Sequence, residues 1–344
     1  MIAAQGPDRR STRMLSVAAD GSMRHLPRSA IANLFNPGDV IIANDAATLP
    51  ASLLGIHVTS GAPIEIRLAG WIRLGDPTCF IAIAFGQGDY HTRTEDRPLP
   101  PPLLAGDHLL LGPLAAIVEH LLDHPRLISL RFTDNPATIL TGLAGHGRPI
   151  QYAHVPEPLA LWDIWTRIAA EPVAFEAPSA GFALDWRTLT AWRSRGIHFA
   201  TLTHAAGISS TGDPVLDLKL PFDEPYRIPE QTALAIGRAK AEGRRIIAIG
   251  TTVIRALESA ANADGSIRAG DGIARGQIGH GSILRVVDAI LTGVHERGES
   301  HFELLRAFTQ DAALDRISQN LAANGYRSHE FGDSLLLHRK PSQA

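Results

Sequence analysis

At 344 residues the chain exceeds the span that one hydrophobic core usually serves, so two domains are expected. Its 45% hydrophobic and 19% charged residues are ordinary for a soluble globular protein, and a formal charge of −3 argues against a strongly basic nucleic-acid binder. The single cysteine, Cys79, excludes an intrachain disulfide and a thiolate metal cluster.

No apolar run reaches the roughly eighteen residues of a membrane-spanning helix, and the opening MIAAQGPDRRSTRM holds no segment of the secretory kind. A cytoplasmic protein without membrane contact is the expectation. The fifteen histidines are mostly scattered singly, and none forms an H-E-x-x-H or Cys/His ligand set, so no metal site is expected.

In chain order, residues 30–56 hold a polar lead, an NPGD turn, a strand at 39–43 and a second apolar piece around Leu53. From 57 to 148 the texture changes. Apolar runs at 64–68, 80–85, 108–111 and 127–132 alternate with Gly, Pro and Asp clusters, the pattern of a small β domain or barrel. RPLPPPLLAGD (97–107) reads as a proline-stiffened surface loop. Beyond Pro149 the pattern is mixed. Helices are predicted at 159–170, 184–195, 229–241, 252–261, 300–308 and 311–323, with strands at 197–203 and 246–249. The fold class expected is an α/β main domain, from 1–56 and 149–344, with an inserted small β-barrel domain at 57–148. Strands 39–43 and 246–249 should share one sheet.

Chemistry-bearing residues gather where strands end. VIIANDAATLP (40–50) leaves a buried run directly into Asn44 and Asp45, which either shape a turn or line a site. RRIIAIGTTVIRALES (244–259) repeats that grammar. Gly250 lets a ligand approach the backbone, and Thr251 or Thr252 can cap the following helix or touch the ligand. Free N–H groups at a helix start suit a carboxylate or phosphate. Arg255 and Glu258, three apart, share a face and could form no more than a surface ion pair.

In FEAPSAGFALDW (175–186), Ser179, Ala180 and Gly181 leave room for a flat ligand or for backbone donors, and Asp185 fits a plain N-terminal helix charge. His204 closes the strand at 197–203, as a satisfied histidine or a general base. LTGVHERGESHFELLRAF (291–308) offers His295, Glu299, Ser300 and His301. Ser300 and Glu303 fit a capping box, whereas His295 has no such structural reason. Neither a Rossmann fingerprint nor a P-loop is present.

With these stretches in view, the chain resembles the S-adenosylmethionine:tRNA ribosyltransferase-isomerases of queuosine biosynthesis. That family's P-G-D-x-x-V-x-N-D-T-R-V-x-P-A-R-L-x-G corresponds to NPGDVIIANDAATLPASLLG (36–55), and its A-P-T-A-G-L-H-F-T to APSAGFALD (177–185). Its V-x-A-V-G-T-T-x-x-R-x-L-E is nearly intact as IIAIGTTVIRALE (246–258). T-N-F-H-L-P-x-S-x-L matches LTGVHERGESHFELL (291–305), and Y-R-F-x-S-x-G-D-A matches YRSHEFGDS (326–334). The resemblance runs in order over almost the whole chain.

It implies an α/β domain with an inserted barrel, and S-adenosylmethionine as co-substrate with no permanently bound cofactor. The ribosyl group would pass to 7-aminomethyl-7-deazaguanine in tRNA and rearrange to an epoxycyclopentanediol, releasing adenine and methionine. Asp45 is then the candidate base or sulfonium partner and His295 a proton carrier, with the GTT helix start, and Arg255 beside it, suited to the methionine carboxylate.

The departures lie toward the acceptor. The family's arginines are Ala47 and Ser52 here, and its G-L-H-F-T histidine and threonine are Ala183 and Asp185. L-H-V-G-x-G-T-F becomes LTHAAGISS with His204 kept, and H-x-M-H-x-E-x-Y becomes LPFDEPY with Glu224 and Tyr226 kept. Each lost arginine removes a phosphate contact. The expectation is therefore retained S-adenosylmethionine binding with weak, salt-sensitive tRNA binding. Arg9, Arg10 and Arg13 are available as substitutes. The alternatives are the same chemistry on a small-molecule acceptor, or a non-catalytic S-adenosylmethionine-binding protein.

Overall fold

The computed structural model describes residues 1–6 and 12–340; Arg9 and Arg10 fall outside them. Its centre is a nine-stranded sheet in the order Gly270–Ala274, Glu224–Ile228, His198–His204, Val40–Asn44, Ile246–Ile249, Ala289–Gly293, Ser334–His338, Arg13–Val17, Met23–Pro27. The four strands from His198–His204 to Ala289–Gly293 run parallel, and the antiparallel strands sit outside them. Ile246 pairs with Val40 and Ile249 with Ala43, so the two strands expected to share a sheet are neighbours in it.

A parallel strand covered on both faces reads as a continuous apolar run, which is why VIIA and IIAI show no alternation. Val40 and Ile42 pack toward helices Glu230–Ala241 and Thr251–Ala260. Ile41 and Ala43 pack toward helix Trp186–Ser194 and the 3₁₀ turn Arg28–Asn33. All four parallel strands therefore present their carboxyl ends, at Asn44, His204, Ile249 and Gly293, along one edge.

The inserted unit is a closed antiparallel barrel of six strands: Ser52–His57, Pro63–Trp71, Cys79–Phe85, His108–Leu111, Leu114–Leu121 and Leu127–Phe132. The expected barrel runs are all there. Ser52–His57, read from sequence with the α/β part, is a barrel strand instead. The barrel interior is also continuous with the main domain rather than a separate core. Val173, Phe175, Ala205 and Leu216 belong to the same buried cluster as Phe80 and Leu130, and the Trp71 indole N–H donates to the Val173 carbonyl at 2.6 Å.

One predicted helix fails. Residues 159–170 hold only the turn Leu161–Ile164. Trp165 leaves the helical region (ψ 131°), its indole N–H donating to the Thr48 carbonyl at 3.0 Å. The chain then enters strand Glu171–Ala174, parallel to Ala46–Thr48. The helical spacing of Trp162 and Trp165 is overridden by this tertiary anchor. Residues 97–107 are a loop as expected, and Asp311–Ala323 is a helix. No helix of the described residues is long and apolar enough to cross a membrane.

Candidate active site

The carboxyl edge of the parallel strands collects most of the candidate residues. Gly250 (φ 94°, ψ 156°) sits at the N-cap of helix Thr251–Ala260, in a region that residues with a Cβ avoid. A Cβ placed there would lie 3.3 Å from that of Ala180, so the 3₁₀ turn Ser179–Ala183 closes tightly on the helix start. No side chain caps this helix, contrary to the capping role expected of Thr251 or Thr252. Its first N–H groups, and the positive end of the helix dipole, face the edge of the sheet. Ser179 and Ala180 line a cleft together with Gly293, His329 and Glu330. Gly181 is packed under it against Thr166.

Asn44 answers the question of the strand's polar end differently from the expectation. Its side chain extends the sheet ladder, accepting from His204 N–H at 2.9 Å and donating to the His204 carbonyl at 2.9 Å. It also accepts from Ala46 N–H and approaches Thr252 Oγ1 at 3.4 Å. Asn44 is buried, so it organises the strand ends rather than touching a ligand. Asp45 is half-buried and accepts from Thr203 Oγ1 at 2.7 Å.

Arg255 and Glu258 do not form the surface pair considered above. Glu258 accepts from the backbone N–H groups of Arg285, Val286 and Val287. Arg255 turns inward, with Nε 3.2 Å from Glu224 Oε2 and Nη2 donating to the carbonyls of Phe222 and Ala274. His204 Nε2 lies 3.5 Å from the same carboxylate oxygen. Burial, reinforced by the Arg255 charge, lowers the His204 pKa to about 3, so the imidazole is neutral. Glu224 is pushed up by burial, only partly opposed by Arg255 and the Gly207 N–H. Three positions retained from the family pattern thus make one buried cluster. His204 is fully buried. Tyr226 packs against Gly272 in the core and is a packing residue.

His295 has partners after all: Nε2 lies 3.0 Å from Thr292 Oγ1 and Nδ1 3.5 Å from Glu299 Oε2, with its ring stacked on His301 at 4.8 Å. Burial lowers the His301 pKa to about 4, helped by the neighbouring His295. Burial raises Glu299, but His295 and the Glu296 N–H outweigh it and bring the carboxyl to about 2. The Ser300–Glu303 capping box does not form. Glu299 is the N-cap of helix Ser300–Leu304, and Glu303 pairs with Arg306. Asp185, by contrast, caps Trp186–Ser194 by accepting from Thr188 N–H at 2.7 Å.

The fold adds a second group here that local sequence does not single out. Tyr152 Oη donates to Glu176 Oε1, which also accepts from Ser209 N–H. Burial raises Glu176 to about 7, against the pull of those two bonds. His154 stacks on both Tyr152 and His329, and its Nε2 lies 3.0 Å from Glu330 Oε2. The only signal was adjacency: Glu176 precedes APSAG, and His329 and Glu330 sit inside YRSHEFGDS.

An open α/β sheet with an inserted barrel, and an uncapped helix start facing polar groups at its carboxyl edge, defines a ligand-binding enzyme architecture. The chain belongs to the queuosine biosynthesis protein family, whose model matches residues 1–337. It is 32% identical over 343 residues to the S-adenosylmethionine:tRNA ribosyltransferase-isomerase of Thermus thermophilus, covering 98% of this chain and 95% of that one. The enzyme of the same name from Bradyrhizobium sp. is 29% identical over 356 residues, covering 97% and 93%. The crystal structure of S-adenosylmethionine tRNA ribosyltransferase from Thermotoga maritima shares the fold, with a TM-score of 0.51 at 20% identity over 97% of this chain and 96% of that one. The protein is accordingly an enzyme of the transferase/isomerase class.

Proposed function

We propose that the protein transfers and isomerises the ribosyl group of S-adenosylmethionine, with 7-aminomethyl-7-deazaguanine in tRNA as the inherited acceptor and adenine and methionine as products. The observation that carries this reading is the uncapped start of helix Thr251–Ala260, with Gly250 pressed against Ala180. Backbone donors there suit the methionine carboxylate without a bound cation. Asp45 is the base for the ribose 5′ carbon, whose proton is acidified by the neighbouring sulfonium. His295, held by Thr292 and Glu299, supplies the proton that lets adenine leave. Arg255 and His204 hold Glu224 and the strand ends in place. Incubation with S-adenosylmethionine and deazaguanine-bearing tRNA, followed by mass spectrometry, should show adenine and methionine released in equal amounts. Absence of release, together with absence of S-adenosylmethionine binding by calorimetry at millimolar ligand, would defeat the reading.

A small-molecule acceptor is a second reading, favoured by the positions that lack the family's arginines. Ala47 is buried in strand Ala46–Thr48, and Ser52 Oγ donates to Glu65 Oε1 at 2.8 Å inside the barrel. Arg13, offered as a substitute, stacks on Tyr326 at 4.4 Å and donates to the Asn324 and Gly325 carbonyls. Poor, steeply salt-dependent tRNA binding alongside intact S-adenosylmethionine binding is the outcome expected here; robust conversion of the tRNA would restore the inherited acceptor.

A further inference from the structure

We propose that His154, His329 and Glu330 form a binding site for a transition-metal dication of the zinc class on the wall of the cleft. These residues come from two distant parts of the chain, yet one ligand atom from each lies within 4.8 Å of the others. His154 Nε2 and Glu330 Oε2 are already 3.0 Å apart. Tetrahedral zinc ligands at about 2.0–2.2 Å from the ion lie roughly 3.4 Å from one another, so a separation at the 4.8 Å limit would have to contract by about 1.4 Å. Two imidazole nitrogens and one carboxylate suit zinc, cobalt or nickel, whereas magnesium and calcium favour all-oxygen sites.

All three residues are half-buried, and the His154 and His329 rings stack at 4.5 Å with planes 26° apart, so one ring must turn out of the stack for both imidazoles to bind one ion in their own planes. His329 is the one described non-glycine residue with positive φ (68°), a backbone conformation that costs energy and aims its ring at His154. Its Nδ1 faces Glu299 Oε1 at 3.9 Å, an outer carboxylate of the kind that orients metal-bound histidine and leaves Nε2 for the ion. The Tyr152 ring also stacks on His154, nearly parallel at 7°. His329 and Glu330 line the same cleft as Ser179 and Ala180. Glu330 stands where the family stretch quoted above has serine.

The test uses the full-length, untagged protein after chelator treatment, with neither S-adenosylmethionine nor tRNA present, so its failure leaves the ribosyl-transfer reading standing. Cobalt(II) titration should produce the visible absorption of a four- or five-coordinate site, saturating at one equivalent and displaced by zinc. His154→Gln and His329→Ala should each weaken binding at least tenfold. His91→Ala, which removes an exposed histidine paired with Asp89 in the barrel, should leave it unchanged. No cobalt spectrum in the parent protein, or metal uptake that survives both ligand substitutions, would overturn the site.

Discussion

Two buried glutamates, one in the barrel and one in the main sheet, are pushed to opposite sides of the ordinary carboxyl range. Glu65 is raised by burial, but Arg67 and Arg97 together more than offset it, and its pKa falls. Both guanidiniums reach its carboxylate, Arg67 Nε at 2.7 Å, and with Arg126 they also stack on Phe85. Glu224 is equally buried but has one guanidinium and a neutral imidazole, so burial wins and its pKa rises. The number of cations that the fold brings within reach, rather than burial itself, sets the direction in which each buried carboxyl shifts.

The sharpest way to break the contrast is Glu65→Gln. It strands two guanidiniums that cannot shed their protons, and should cost about 3–5 kcal/mol of stability in denaturant unfolding. Arg255→Met should cost somewhat less, about 3 kcal/mol, because Glu224 can take up a proton in compensation. Adding Glu224→Gln to that variant should recover part of the loss; no recovery would show that the two groups are not energetically coupled.

Gly250→Ala should cost about 1–3 kcal/mol, through a φ that alanine avoids and the approach to Ala180. It should also weaken S-adenosylmethionine binding at least tenfold by calorimetry. Binding unchanged in a folded variant would remove the helix start from the site.

The smallest effect at neutral pH belongs to His204→Gln. With a folded-state pKa of about 3, below its unfolded value near 6.5, His204 contributes stability that is fully present above about pH 6.5 and is lost as pH falls toward 3. Glu224, with its raised pKa, contributes the opposite slope around and above its unfolded value. Melting temperature against pH should therefore fall less steeply in the variant than in the parent between about pH 6.5 and 4. Parallel curves would mean that the histidine is charged in the fold.

Much of the architecture was legible because it rests on local patterns. The apolar runs 40–43 and 246–249, the glycine-threonine helix start and the short barrel runs all carry their structural reason within a few residues. The lost helix at 159–170 shows the limit, since its end depends on a bond from Trp165 to Thr48, over a hundred positions away. The candidate site divides in the same manner. Asp185 caps its helix as its local sequence suggests. Asn44 and His204 were placed at the right strand ends and are engaged in ladder bonds, while Tyr226, for which no strand was read, packs in the middle of Glu224–Ile228.

By itself, the sequence determined the buried strands 40–43, 197–203 and 246–249 and the short barrel runs, because periodicity and glycine chemistry are encoded over one or two turns of chain, whereas the other six strands of the main sheet were not read from it. Only the tertiary structure decided which charges meet. Arg255 left Glu258 for Glu224, and His154 met His329 and Glu330 across 175 positions of chain. Such pairings depend on how sheet edges and loops converge in space, and that convergence sets burial, partner number and hence protonation, none of which has a signature in local spacing.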